Sequence, residues 1–445
     1  MYRQILVYES QRDLLRILWK RDLSDSPVTY RLKTVTYGTK SAPFLAIRCI
    51  KQVAYDEMHK YPEAAKAVLS DCYVDDVISG SSNLDSAREL KNQLIQLFHS
   101  CGMTLHKWNS NSPELLDSPS TSSELSFSSK SDNVVKALGI TWNSQKDEFS
   151  FKVSIKEKSS YTKRDILSTI ARLYDPLGLI GPIVSNLKPV ENIKINRCIL
   201  SNHPSKISLI GYADASEAAY GAVVYLICVD EDHGSSSHLL ASKSRVAPLK
   251  TLSIPRLELC ACLLLAHLIS KVSNSLKMHL DDIILCTDST IALSWLKTSP
   301  HLLKTFVANR VSKIQRLVEP RHWKHVSSAN NPADLISRGA YPHELVTSSL
   351  WWNGPEQNEL SDASLFELDK TLIDSPAYQD ELKKPLDVNL NCFCLSNLKG
   401  PVKKTGPISS TEFQDAEMHL IKMVQVIEFA EEIKSLQDQR VIKSQ

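Results

Sequence analysis

Four acidic residues in the middle of the chain stand at the boundaries of short apolar runs. Asp214 closes Ile207-Ser-Leu-Ile-Gly-Tyr-Ala, and a second strand-like run, Tyr220-Gly-Ala-Val-Val-Tyr225, follows at once. Glu258 opens a long apolar helix, Asp288 closes Ile283-Ile-Leu-Cys-Thr, and Asp334 lies in Asn330-Asn-Pro-Ala-Asp334. Carboxylates at strand ends, joined by one from a neighbouring helix, can converge on a pair of divalent cations. Hard cations take oxygen ligands, and two-metal phosphodiester chemistry needs a clamp on both the attacking and the leaving oxygen. Each acid alone has a plainer reading. A strand-end Asp forms turns, and Glu258 after Pro255 is a favourable first-turn charge at a helix N-terminus. Their order, in a strand, strand, helix, strand, helix setting, is what makes the set a candidate site.

The elements that would position these acids follow from periodicity. Strand candidates at 207–214, 220–228 and 239–246 precede a helix from Pro255 to about Leu276. That helix is apolar nearly all round (Leu257, Leu259, Leu263, Leu264, Leu265, Leu268, Ile269, Val272), which suits a central helix buried against a sheet. A fourth strand is expected at 283–288, helices at 289–298 and 302–318, and a fifth strand at His322–Val326. The fold class is α/β in an α+β multidomain chain, with a mixed five-stranded sheet flanked by helices.

A second acidic feature lies in the first third. Cys72-Tyr-Val-Asp-Asp-Val-Ile-Ser79 puts Asp75 and Asp76 side by side, and alternation sends them to opposite faces of a strand unless a tight hairpin presents both. Upstream is Thr34-Val-Thr-Tyr-Gly-Thr-Lys-Ser-Ala-Pro-Phe-Leu-Ala-Ile-Arg48; downstream are Gly102-Met-Thr-Leu-His-Lys-Trp-Asn-Ser-Asn111 and the strand-like Ala137–Trp142. The serine-rich stretch 109–133 reads as a loop. A helix is expected over 162–174 and is broken by Pro176 and Gly178. Ser409-Ser-Thr-Glu412 is a capping box ahead of an amphipathic helix.

Composition narrows the classes. The 445 residues, 42% hydrophobic and 23% charged, suit an ordinary soluble chain of two or three domains. A net charge of +2 leaves no global nucleic-acid footprint, so such binding must come from local patches. The ten cysteines include no Cys-x-x-Cys, which points to free thiols in a reducing compartment. No signal peptide opens the chain and no run approaches the length of a membrane span, so a cytoplasmic or nuclear location is expected, with no membrane partner. Oligomeric state leaves no trace in the sequence.

Four segments resemble the ribonuclease H domain of retroelement polyproteins: Gly211-Tyr-Ala-Asp-Ala-Ser216, Ser253-Ile-Pro-Arg-Leu-Glu-Leu259, Cys286-Thr-Asp-Ser-Thr290 and Asn331-Pro-Ala-Asp-Leu-Ile-Ser-Arg-Gly339. The resemblance implies that Asp214, Glu258, Asp288 and Asp334 hold two Mg²⁺ (or Mn²⁺) and that the substrate is an RNA–DNA hybrid. It offers His325 as a product-release histidine, against a strand-surface reading. Lys297, Lys304, Arg310, Lys313, Arg321, Trp323 and Lys324 could hold a phosphate backbone, or belong to a solvated face.

The first third resembles the palm of a reverse transcriptase from a long-terminal-repeat retrotransposon, nearest to the BEL/Pao group, as does Ala171-Arg-Leu-Tyr-Asp-Pro-Leu-Gly-Leu-Ile-Gly-Pro182. This implies that Asp75 and Asp76 hold metal beside a primer end and that Gly38–Pro43 lines the template and nucleotide pocket. Tyr2 would be the aromatic gate against the ribose 2′-OH. Lys107 would assist the leaving pyrophosphate, or is a surface lysine. The family's third palm carboxylate would precede Met1, so this chain is expected not to polymerise. A jump between Ser185 and Glu191 reads as an internal deletion.

The expected layout is a truncated reverse-transcriptase palm over 1–150, a thumb/connection remnant over 151–205 and a ribonuclease H-like domain over 206–340. A spacer over 341–410 and a helix over 411–440 follow, ahead of an integrase that this chain lacks. The rival expectation is a non-catalytic nucleic-acid-binding or unstable remnant.

Overall fold

The computed structural model describes residues 1–116, 134–137, 140–151, 162, 175–183, 190, 193–200, 204–230, 234–356, 374–383 and 418. In the first third, strands β1 (Arg16–Trp19) and β2 (Val28–Arg31) form an exposed antiparallel hairpin. Helices α1 (Ala42–Asp56) and α2 (Pro62–Asp71) lead to the two-residue strands β3 (Cys72–Tyr73) and β4 (Asp76–Val77), and α3 (Leu84–Ser100) follows. The three helices bury a common cluster of Ala42, Ala46, Ile50, Ala64, Val68, Leu94, Leu97 and Phe98. Small residues at helical spacing on α1 and α2 let the two backbones approach. Strands β5 (Val134–Ala137), β6 (Ile140–Asn143), β7 (Glu148–Ser150) and β8 (Lys194–Asn196) then pair as an antiparallel meander.

The larger unit is a five-stranded mixed sheet of β9 (Lys206–Ala215), β10 (Ala219–Asp230), β11 (Gly234–Val246), β12 (Asp282–Thr287) and β13 (Trp323–His325). Its spatial order is β11-β10-β9-β12-β13. The first three strands are antiparallel, and β12 is parallel to both β9 and β13. The crossovers supply α4 (Ile254–Ser275), α5 (Thr290–Lys297) and α6 (Thr305–Leu317); α7 (Ala333–Arg338) follows the last strand. Within this unit the strands and helices expected from periodicity are present, with ends shifted by a few residues and the third strand starting earlier.

Residues 221–228 of β10 are buried without a break, so alternation there sorts two covered faces rather than inside from outside. Ala222, Val224, Leu226 and Cys228 meet α4, whereas Val223, Tyr225 and Ile227 join a second cluster with Leu179, Ile180, Ile336 and Trp351. That second face is covered by segments far apart in the chain. Trp351 Nε1 donates to the Leu179 carbonyl at 2.8 Å, and Tyr225 Oη donates to the Trp351 carbonyl at 2.8 Å. Asp175 holds the covering turn by accepting from the amides of Leu179 and Ile180, each at 2.9 Å. Gly178 in this turn has φ +73, and a Cβ there would lie 2.2 Å from the Ser242 carbonyl oxygen, so only glycine fits.

Contrary to the expectation that no apolar run is long enough, α4 has the length and composition to cross a bilayer. Its Leu257, Leu259, Leu264, Leu265 and Ile269 are instead packed into the core beneath the sheet. At the carboxyl end of α5, Tyr378 is buried with its hydroxyl 2.8 Å from Thr298 Oγ1, and Leu303 bridges Leu382. The helix expected over 162–174 and, apart from Met418, the one over 411–440 lie outside the described residues.

Candidate active site

The parallel pairing of β9 with β12 aligns Ala213 with Thr287, so Asp214 and the residue that leaves β12, Asp288, sit side by side at the carboxyl ends of two strands. Alternation on β9 puts Asp214 on the face of Ile210 and Tyr212, beneath α7. There Ser337 Oγ donates a hydrogen bond to Asp214 Oδ2. Directly opposite Asp214 on β10 is Gly221, where a Cβ would lie 2.2 Å from Ile336 Cγ2. Glycine therefore lets α7 close on the strand end.

Glu258 sits in the opening turns of α4, and Ser289 Oγ donates to its Oε2. The same hydroxyl accepts from the Ala292 amide at 3.2 Å, so Ser289 caps α5 and orients Glu258 together. Ser328 Oγ donates to Asp288 Oδ2 at 2.7 Å, and Asn331 Nδ2 reaches Asp288 Oδ1 at 3.3 Å. Asp334 pairs with Arg338 Nε at 2.5 Å, one turn along α7.

Burial pushes the Asp214 carboxyl up to about 6; the Ser337 hydroxyl lowers it, while Asp288 and Asp334 raise it. Burial likewise pushes Glu258 up to about 7, opposed by Ser289 and reinforced by Asp288 and Asp214. The four acids thus share one electrostatic site. An all-carboxylate donor set, with Asp214 and Glu258 held against ionisation by burial, fits hard divalent cations. Among the described residues, however, no three such side chains stand gathered as a ready-made metal cage.

His325 lies on β13 opposite Thr287, beside the end of β12, and is half-buried. Trp323 corrects one expectation: it is 2% exposed, part of the core beneath α4, and offers no ring for nucleic acid to stack on. Arg321 is paired with Glu319 at 2.9 Å, and Lys304 Nζ bonds the Asp380 carbonyl. Sequence reading passed over Asn331, Ser289, Ser328 and Ser337, which hold the carboxylates. The available signal was positional: Ser289 directly follows Asp288, and Ser337 lies one turn from Asp334.

In the first third, Tyr73 pairs with Asp76 across a two-residue turn of Val74 and Asp75, leaving both aspartates exposed. Val74 has φ 56, a costly conformation for a β-branched residue and one that marks functional turns. Tyr2 packs on the cluster that includes Ile5, Val35 and Val77 of this hairpin. Gly38 takes φ +87 in the turn ahead of α1, and Pro43 lies in that helix's first turn. Lys107 is exposed, with φ 58. Tyr2 and the hairpin thus share one cluster, while the other four acids belong to the five-stranded unit.

Residues 162–190 and 183–289 match the family model described as the Pao retrotransposon-like RNaseH-like domain. This stretch of the chain is similar to that domain. The match bears out the resemblance to a retrotransposon Pol polyprotein, and its two pieces overlap over residues 183–190. No curated protein matches the chain. Among solved structures, the N-terminal RNase H domain of rv2228c from Mycobacterium tuberculosis is 15% identical, with 30% of this chain and 94% of that one covered, at a TM-score of 0.21. RNase H1 from Halobacterium salinarum is 16% identical, with coverages of 29% and 91%, at a TM-score of 0.20. A foamy viral protease-reverse transcriptase in complex with dsDNA is 12% identical, with coverages of 73% and 64%, at a TM-score of 0.35.

Proposed function

We propose that the Pao-like unit is a ribonuclease that cuts the RNA strand of an RNA–DNA hybrid. The observation that carries this reading is the side-by-side placement of Asp214 and Asp288 at the carboxyl ends of two parallel strands, with Asp214 raised by burial, Asp288 and Asp334, and Glu258 raised by burial, Asp288 and Asp214. These four side chains would hold Mg²⁺ or Mn²⁺, which when bound supplies Lewis-acid stabilisation of the phosphodiester and eases deprotonation of an attacking water. The chain's own residues set the frame. Ser337, Ser289, Ser328 and Asn331 aim the carboxylates, and His325 stands at the strand edge as a proton carrier for product release. The 2′-OH is the group by which RNA would be told from DNA. Asp75 and Asp76, on their strained hairpin, are the metal-holding pair of a polymerase palm, with Tyr2, Gly38, Pro43 and Lys107 around the nucleotide.

A binding-only role is the second reading, favoured by the Asp334–Arg338 ion pair and by the absence of a gathered metal cage among the described residues. The full chain and its Asp288→Asn variant are compared on an RNA–DNA hybrid with Mg²⁺ and with EDTA. Cutting that needs Mg²⁺ and vanishes in the variant supports the nuclease. Salt-sensitive binding without cutting by a folded chain supports the second reading.

A further inference from the structure

Away from the carboxylates, two arginines close on one phenylalanine ring. Arg256, in the first turn of α4, and Arg310, on α6, place their guanidinium carbons 5.0 and 3.5 Å from the centre of the Phe306 ring. Each guanidinium is anchored along one edge. Arg256 directs Nε and Nη2 at Glu381 Oε1, both at 2.6 Å. Arg310 gives Nε to Cys260 Sγ at 3.2 Å and Nη1 to the Phe306 carbonyl at 3.0 Å.

A guanidinium carries five N–H donors in a rigid plane. Nη1 of Arg256 and Nη2 of Arg310 therefore have no protein acceptor among the described residues. Both side chains are half-buried, so they are fixed without being sealed. An arginine held in place by stacking and by one edge loses little rotamer freedom on binding, and its open edge matches the oxygens of a phosphate. Arg256 and Cys260, one turn apart, lie on the face of α4 turned to α6, a different face from Glu258, so the stack is separate from the carboxylates.

We propose that Arg256, Phe306 and Arg310 form a preorganised contact for a backbone phosphate of the bound nucleic acid, apart from the carboxylates. This rests on the hybrid-binding reading above. The contact is sequence-independent: it would fix the register of the strand and leave base edges unread. The Phe306 ring helps keep two like charges at one site because its π face is negative and attracts each guanidinium placed over it.

Hybrid binding by the full chain is measured in EDTA over a salt series, so that no strand is cut. Arg310→Gln removes one cation without stranding a carboxylate. The expected result is about a five- to tenfold loss of affinity and a salt slope shallower by roughly one. A second arm needs no variant: phenylglyoxal modification of the unaltered chain, read by mass spectrometry, should fall at Arg256 and Arg310 when hybrid is present. An unchanged salt slope in a folded Arg310→Gln, or equal modification with and without hybrid, overturns the contact. A chain that shows protection yet never cuts with Mg²⁺ keeps the contact and overturns the nuclease. A chain that binds no hybrid overturns both.

Discussion

Asn331 bridges the two strands that carry the central carboxylates. Its Nδ2 lies 3.1 Å from the Ala213 carbonyl on β9 and 3.3 Å from Asp288 Oδ1, while its Oδ1 accepts from the Ala333 amide at 3.1 Å. The residue is 1% exposed, and its bonds to Ala213 and Ala333 are made out of reach of water. Asn331→Ala would leave a buried carbonyl and a buried amide without partners. A loss of about 2–4 kcal/mol is expected in urea unfolding, with hybrid cleavage falling further than stability alone accounts for. A variant as stable and active as the parent would remove Asn331 from the site.

The raised carboxylates make a prediction about pH with a definite sign. Asp214 ionises at about 6 instead of 3.8, and Glu258 at about 7 instead of 4.5. Between the ordinary and the raised values the folded chain holds more protons than the unfolded one, so stability falls as pH rises from about 4 to about 7. In EDTA the chain should be less stable at pH 8 than at pH 5, by roughly 1–3 kcal/mol from these groups after solvent screening. Glu258→Gln should flatten that slope, and Mg²⁺ should restore stability at pH 8 by binding the ionised form. A slope of opposite sign, or a urea midpoint indifferent to Mg²⁺, would contradict the site's electrostatics.

Gly221 gives a steric test. Its place opposite Asp214 and the 2.2 Å approach of Ile336 Cγ2 to a built Cβ mean that any side chain must push α7 outward. Gly221→Val should cost about 1–3 kcal/mol in thermal or urea unfolding. It should also abolish cleavage, by drawing Ser337 and Asp334 away from the strand end. The double variant Gly221→Ala with Ile336→Ala, which removes the clashing Cγ2, should recover part of both. Independent effects would mean that the two residues do not share that space.

The five-stranded unit was legible because its signals are local. Alternation in 207–214, the continuous apolar β10 and the all-round apolar α4 each declare their own burial, and the acids fall at the element ends that those patterns define. What was not legible depends on partners. Trp323 beside Lys324 looks the same in sequence whether its ring stacks on a ligand or fills a core, and only the fold puts it beneath α4. The turn Asp175–Ile183 announces its glycines but not that Ser242 lies against them. Glu381 sits in an acidic, loop-like stretch, and nothing nearby foretells its pairing with Arg256, which is 125 residues away. Ser337 and Ser289 were overlooked because a serine beside an aspartate is common, and its hydroxyl has a role only once a distant carboxylate is brought to it.

The Trp351–Leu179 hydrogen bond joins residues 172 positions apart, and the strands and four acids lie between them. During synthesis, the first three strands and α4 can assemble as soon as they emerge. The opposite side of that sheet must wait, with Tyr212 and Tyr225 facing water, until the ribosome has released Trp351. A growing chain therefore passes through a half-clothed stage that lasts for the translation of the 76 residues from Leu276 to Trp351, with a long-range closure as its final step. The order of synthesis makes this unit a natural client for chaperones that shield exposed aromatic surface. It also makes the yield of folded protein depend on how fast the last segment arrives.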